Sequence, residues 1–292
     1  MRLLLSLWLL LVCVSQAHAA AEVPTTLPPI RIGLTPVFLD DQATFINQWR
    51  GYLENHLQRP VIFVQRGSYR EITDMLIEEK LDFAWLCGYP YIRNRDRLQL
   101  VAVPLWRGKP LYQSYLIVPA SDKKTQQLTD LREKIFAYSD PDSNSGYLYP
   151  QYVLLQQRIK PATLFAKSFF TWSHRKVVDA VASGLAHGGS VDGYVWETLA
   201  LSHPELTTRT RIVSKSPDFG HPPFVASRAV PQPEIVAMQR VLLDMANSKD
   251  GTQLLNKLNL NGFIAGDNQL FDGIANMVNL VDGSKNAAPQ GR

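Results

Sequence analysis

Phe136-Ala-Tyr-Ser-Asp-Pro-Asp-Ser-Asn-Ser-Gly-Tyr-Leu-Tyr-Pro150 runs from a short apolar strand through a polar turn into a helix, and its reading decides the fold. Ile135 to Tyr138 read as the strand and Asp140-Pro141-Asp142 as the turn. Ser143, Asn144 and Ser145 fall where a helix start leaves backbone N–H groups without partners, and Tyr147 to Gln157 continue the helix. Three small polar side chains beside free N–H groups and the positive helix end would hold a tetrahedral oxyanion on several sides. The plainer reading is a Ser/Asn-rich cap, and this stretch alone leaves both open.

Outward from it, the same strand-to-helix grammar recurs. Ile30 to Leu34 is an apolar strand closed by Thr35-Pro36. Asp41 to Leu57 carries Phe45, Trp49, Tyr52 and Leu53 at helical spacing, and Val61 to Val64 is the next strand. A helix over Tyr69 to Glu79 leads to the strand Leu81 to Leu86, then Gly88-Tyr-Pro-Tyr91 opens another helix and Leu100 to Leu105 adds a strand. Tyr112 to Val118 is an extended crossover. A second series follows: the cradle, Phe169 to Trp172, a helix over Ser173 to Leu185 and a strand over Ser190 to Val195. Arg211 to Lys215 and the Pro-rich 217–224 cross back, and helices over Pro233 to Asn247 and Gly251 to Leu258 close the first unit. The expectation is an α/β fold of two lobes, each a mixed sheet flanked by helices, with a ligand cleft between them. Its parts are 28–115 with 222–275 as the first lobe, 116–221 as the second, and 276–292 as a loose tail.

Met1 to Ala19 has Arg2, the apolar run Leu3 to Val14 and the small-residue ending Ala17-His-Ala19, which predicts a cleaved secretory signal peptide and a periplasmic location. Its core is too short to span a bilayer. Cys13 lies within it, but Leu-Leu-Val before it lacks the small residues of a lipoprotein cleavage site. Removal leaves Cys87 as the lone cysteine, so no internal disulfide forms and stability rests on packing. With 46% apolar and 19% charged residues the composition suits a globular protein. The net charge of +4 favours anionic partners, yet Lys and Arg are scattered, and no regular aromatic platform emerges. That pattern points to a small anion and away from nucleic acid.

In open α/β sheets ligands bind at the carboxyl ends of strands, where helices begin. Gly67-Ser-Tyr69, Gly88-Tyr-Pro90, Ser143-Asn-Ser-Gly146 and Ser173-His174 occupy such places, two in each lobe. Two lobes closing on one ligand follow from that arrangement.

Tyr69-Arg-Glu-Ile, Leu81-Asp-Phe-Ala-Trp, Cys87-Gly-Tyr-Pro-Tyr91, Asp140-Pro-Asp-Ser-Asn-Ser-Gly-Tyr147 and Ser173-His174 with Val178-Asp-Ala-Val-Ala-Ser-Gly resemble the periplasmic phosphate/phosphite/phosphonate-binding proteins of ABC importers. The resemblance covers nearly all of the chain after the leader. It implies a two-lobed type II binding fold and capture of a small phosphorus oxyanion for a membrane permease or, alternatively, a sensor kinase. It implies a monomer and no cofactor or metal. By motif, Ser143, Asn144, Ser145 and His174 would hold the oxyanion, and Tyr69 and Tyr112 would close over it. A protonated His174 would strengthen anion binding.

Asp192 and Glu197 are candidate carboxylates for an amine, but His221 in Phe219-Gly-His221-Pro-Pro stands where a second acid is expected. Asn144 replaces a common threonine. Related receptors bind other oxyanions, arsenite among them, and Cys87 keeps that option. Ser143 or Ser145, His174 and Asp192 also contain the ingredients of a hydrolase triad. Against catalysis, the Gly-x-Ser-x-Gly elbow is absent, as are His-Glu-x-x-His and a phosphate loop. Trp85, Trp172 and Trp196 read as core or cleft-wall residues.

Overall fold

The computed structural model describes residues 27–36 and 43–287. The expected signal peptide with Cys13, the start of the helix expected from Asp41, and 288–292 of the expected tail lie outside them.

Strand β1 (Ile30–Leu34), helix α1 (Ala43–Leu57), β2 (Val61–Gln65), α2 (Tyr69–Ile77), β3 (Phe83–Trp85), α3 (Gly88–Arg93) and β4 (Leu98–Leu105) follow in order. The spacing in α1 has its expected effect: Phe45, Trp49, Tyr52 and Leu53 are its buried residues. The Trp49 ring meets Phe63, Trp85 and Phe224 at 5.0, 5.7 and 6.4 Å, so this helix is pinned onto the sheet by aromatic contacts. Truncating such a residue to alanine costs about 3–5 kcal/mol. β5 (Leu111–Tyr112) and β6 (Ser114–Pro119) split the crossover that the sequence presents as one run.

Next come β7 (Ile135–Tyr138), a helix that starts with the turn Asn144–Leu148 and continues as α4 (Tyr149–Gln156), α5 (Pro161–Leu164), β8 (Lys167–Phe170), α6 (His174–Ala182) and β9 (Gly188–Asp192). α7 (Gly193–Ser202), α8 (Pro204–Thr207), β10 (Thr210–Lys215), β11 (Phe219–Gly220), β12 (Phe224–Ser227), α9 (Gln232–Leu243), α10 (Lys249–Lys257), β13 (Gly262–Ile264) and α11 (Asp272–Ala287) complete the described chain.

One sheet has the order β13-β4-β12-β3-β1-β2 and the other β10-β6-β9-β7-β8. In the first, β2, β1 and β3 are parallel, and β12 runs antiparallel between β3 and β4. In the second, β8, β7 and β9 are parallel, and β6 and β10 are antiparallel additions. Both sheets are therefore mixed, as expected. β5 pairs with β11 alone, where the chain leaves the first sheet and where it returns. The second sheet takes in Ser114 and Tyr115, which the sequence division assigned to the first lobe.

Four sequence expectations need correction. The strand expected over Ser190 to Val195 stops at Asp192, because the Asp192 carboxylate caps a helix by accepting from the N–H groups of Tyr194 and Val195. β12 and β13 were not anticipated: each is short, and their pairing with β4 is long-range. The tail from Asn276 is not loose as far as Ala287. It continues α11, which buries Ile274, Met277, Val278 and Val281. Of the two places read for Trp172, core or cleft wall, the core is corrected: the residue is 45% exposed in a turn, with a positive φ of 63°.

Candidate functional site

The helix after β7 opens with a widened turn. The N–H of Leu148 donates to Ser143 O, five residues back, at 2.9 Å, and Tyr149 N–H does the same to Asn144 O. This π geometry is a common local departure at functional sites. Gly146 makes it possible: a Cβ there would lie 1.8 Å from Ser139 Oγ and 2.7 Å from Ser139 Cβ. The opposite side of the turn is tied down through the Ser145 carbonyl, which accepts from Ser114 Oγ at 2.7 Å and Ser190 Oγ at 2.8 Å.

Ser143 caps the turn, its Oγ accepting from Gly146 N–H at 3.0 Å. His174, at the start of α6, is fully enclosed behind it. Its Nδ1 accepts from the Asp192 backbone N–H at 3.0 Å, so the ring's proton sits on Nε2, which donates to Ser143 Oγ at 3.3 Å. With both lone pairs of Ser143 Oγ occupied, its own proton is left to point outward. Burial pushes the His174 pKa down to about 3. The expected protonated His174 is thus corrected: a cationic ring would turn an Nδ1–H against the amide N–H of Asp192. The role left to the ring is to orient Ser143.

Asn144 is buried and donates from Nδ2 to Tyr112 OH at 2.9 Å, while its backbone N–H meets Cys87 Sγ at 3.2 Å. Its Oδ1 and the Oγ of Ser139 are buried polar atoms without a hydrogen-bond partner among the described residues, and the buried Oγ of Ser145 lies beside the Tyr112 hydroxyl. A half-turn of the Asn144 amide would present NH₂ in place of Oδ1, so this position can donate or accept. Tyr69 is buried at the start of α2, and its N–H donates to Asp140 Oδ2 at 3.1 Å. Burial, then the nearby Cys87 and carboxylates, push the Tyr69 hydroxyl pKa well up, and burial does the same for Tyr112. Both remain neutral donors. Burial likewise raises the Cys87 thiol to about 12, which makes it a poor thiolate.

The structure therefore brings Tyr69, Tyr112, Ser143, Asn144, Ser145, His174 and Asp192 into one buried cluster, to which three of the four strand-end segments contribute, while Cys87, just before the fourth, touches it through Asn144 N–H. Burial lifts Asp192 to about 7 against the pull of the two amides that it caps. The hydrolase triad is not formed. Asp192 touches His174 through its backbone N–H and not its carboxylate, and Nε2 carries a proton where a general base needs a lone pair. Glu197 lies elsewhere, bound to Arg107 at 3.2 Å and to Tyr115 OH at 3.1 Å. His221 is fully buried, its ring 5.8 Å from that of Tyr112. Ser114, Ser139, Ser190 and Asp140 were not singled out from the sequence, because their roles depend on strand register and on the path of the turn. The rim is clasped by Arg70, whose guanidinium makes two bonds to Asp142, at 3.1 and 2.9 Å.

Over 158 residues the chain is 27% identical to the phosphate-import protein PhnD of Mycolicibacterium smegmatis, a match covering 50% of this chain and 48% of that one. The chain thus spans about half the length of that curated relative. A solved binding protein of a phosphonate ABC transporter from Pseudomonas aeruginosa superposes with TM-score 0.82 at 21% identity, covering 90% of each chain. PhnD1 of Prochlorococcus marinus, solved with methylphosphonate, gives 0.78 at 19% identity, covering 87% of this chain and 98% of that one. At these identities the structures establish the two-lobed binding-protein fold. Residues 32–271 match the family model described as the periplasmic substrate-binding protein of a phosphonate ABC transporter, and the chain belongs to that family.

Proposed function

We propose that this protein is a periplasmic receptor that closes its two lobes on a small phosphorus oxyanion, a phosphate, phosphite or phosphonate, and delivers it to the membrane permease of an ABC importer. A cleaved leader over residues 1–19 would route it there. The observation that carries the reading is the cradle at the helix start after β7. Ser143 has a hydroxyl proton not used by its two partners, and Ser139 and Asn144 hold buried polar atoms without partners among the described residues. Buried polar groups are normally satisfied, so a cluster of them around a helix N-terminus fits a ligand with several acceptor oxygens.

Among the hydrogen bonds described within the cluster, the donors are hydroxyl, amide, imidazole and backbone groups. Recognition would rest on neutral donors, on the helix dipole, and on Tyr69 and Tyr112 shutting water out. Micromolar affinity needs about 8 kcal/mol, within reach of a handful of charge-assisted bonds at about 1.5–3 kcal/mol each after association costs.

Thermal unfolding of the mature, ligand-stripped protein against phosphate, phosphite, methylphosphonate, 2-aminoethylphosphonate, sulfate and arsenite tests this. A phosphorus oxyanion at 100 times its dissociation constant should add about 2.7 kcal/mol and raise the midpoint by several degrees. No shift with any phosphorus oxyanion would sink the proposal.

A further inference from the structure

Scattered in the chain, many basic side chains of the second sheet are gathered by the fold at its end away from the cradle. Residues 132–134 lead into β7, 158–166 into β8 and 183–187 into β9. Strand pairing brings these segments together. Ile135 stands opposite Lys167, the Ala166 N–H donates to Lys134 O at 3.0 Å, and the His187 N–H donates to Ile135 O at 2.9 Å. β6 runs the other way, with Ile117 opposite Gly189, so the loop after Pro119 leaves at the same end. Lys123, Lys124, Arg132, Lys134, Lys160 and Lys167 are all exposed there. None of these side chains forms an ion pair among the described residues.

The acids on the same segments are fewer, and two are already engaged. Asp122 lies 3.9 Å from Arg211 and accepts from the Thr125 hydroxyl at 2.6 Å. Asp130 accepts from the N–H groups of Gln126 and Gln127, which leaves Glu133 between Arg132 and Lys134. The surface is therefore positive, and it lies at the opposite end of β7 from the oxyanion cradle. β7 is four residues long, so about 13 Å separates the two, and contact at this end leaves the cradle uncovered.

Two features fit the surface to a lipid leaflet rather than to one bound anion. All but Arg132 are lysines, strongly hydrated point charges on flexible stems, which suit a shifting array of phosphates better than a single one held in place. Leu185 is 62% exposed in the segment before β9, where an apolar side chain can enter a headgroup layer. We infer that this end of the second sheet is a docking surface for an anionic phospholipid membrane. It keeps the protein beside the bilayer by charge, without a spanning segment, and whichever anion the cleft takes.

Sedimentation of the mature protein with vesicles tests it, using phosphatidylcholine alone or with about one-third phosphatidylglycerol, at about 0.01 M and about 0.15 M salt. The protein should bind the phosphatidylglycerol vesicles only, and more weakly at the higher salt. Each lysine or arginine beside an anionic leaflet is worth about fivefold in partitioning, so Lys123→Gln/Lys124→Gln/Lys134→Gln should lower binding at least about tenfold. Arg50→Gln/Arg95→Gln/Lys249→Gln removes the same charge from α1, the segment after α3 and α10, and should lower it by less than about twofold. Exposed substitutions of this kind leave folding intact, and a thermal transition like the parent's checks each variant. Equal binding to both kinds of vesicle, no binding to either at low salt, or equal losses in the two triple variants would overturn the surface. Binding to polyglutamate but not to phosphatidylglycerol vesicles would overturn it in favour of an acidic protein partner.

Discussion

Replacing His174 by alanine should weaken methylphosphonate binding by the same factor at every pH from about 5 to about 8.5. The ring's pKa is pushed down to about 3 by burial, so at pH 5 only about 1% of it is protonated, and less above that. Its contribution is therefore that of a neutral donor. It holds one lone pair of Ser143 Oγ while Gly146 N–H holds the other, which aims the serine proton at the cleft. Without the ring that hydroxyl rotates freely. The loss is one oriented neutral bond, about 0.5–1.5 kcal/mol, or about 2–12-fold in Kd. Stability should fall as well, by about 1–3 kcal/mol, because the Asp192 N–H is left buried without an acceptor. Calorimetric titration of parent and variant at each pH supplies the ratio of their Kd values, from which the ligand's own titration cancels. A ratio that grows about tenfold between pH 8.5 and pH 5 would refute the neutral role and restore a cationic one.

Gly146→Ala should cost about 1–3 kcal/mol in denaturant unfolding and weaken anion binding, because its Cβ would overlap Ser139; adding Ser139→Gly should recover much of both. Arg70→Ala should weaken binding by at most about fivefold, with the effect shrinking as salt is added. Its guanidinium bridges the lobes to Asp142 but is 63% exposed, which limits the pair to about 1 kcal/mol. Asp192→Asn should gain in stability relative to the parent as pH rises from about 4 to about 8. The folded protein raises Asp192 to about 7, so its favourable neutral form is fully present below the unfolded pKa of about 3.9 and is lost as pH climbs through 7. A thermal midpoint difference that is flat across that range would contradict the buried placement.

The outline of the fold was legible because helical spacing and apolar runs are local properties. Phe45, Trp49, Tyr52 and Leu53 on one face, or Ile30 to Leu34 as one strand, need no knowledge of their partners. What stayed hidden depends on partners. β13 is three residues long and exists through its register with β4, and α11 is amphipathic too weakly to stand apart from a tail until Met277 and Val281 find the core. The cradle's position could be read from its Ser-Asn-Ser-Gly turn, but the state of His174 could not. It hinges on a backbone N–H at Asp192, 18 residues away at the end of β9. The same holds for Ser114 and Ser190, which reach Ser145 O because β6 and β9 run antiparallel side by side.

Asn144 also bears on how long a ligand would stay. It opens the helix after β7 of the second sheet, yet its backbone and side chain are each bonded outside that sheet, to Cys87 after β3 and to Tyr112 in the β5–β11 crossover. Opening must break these protein bonds together with whatever the ligand contributes, so they add to the barrier for escape for every ligand alike. Arg70 and Asp142 do the same at the rim, away from the cradle. Asn144 thus bears on both residence time and chemical choice, whereas Arg70 and Asp142 bear on residence time alone. A lineage could adjust the speed of hand-over to its transporter through the rim pair and leave the interior, and with it the preferred anion, untouched.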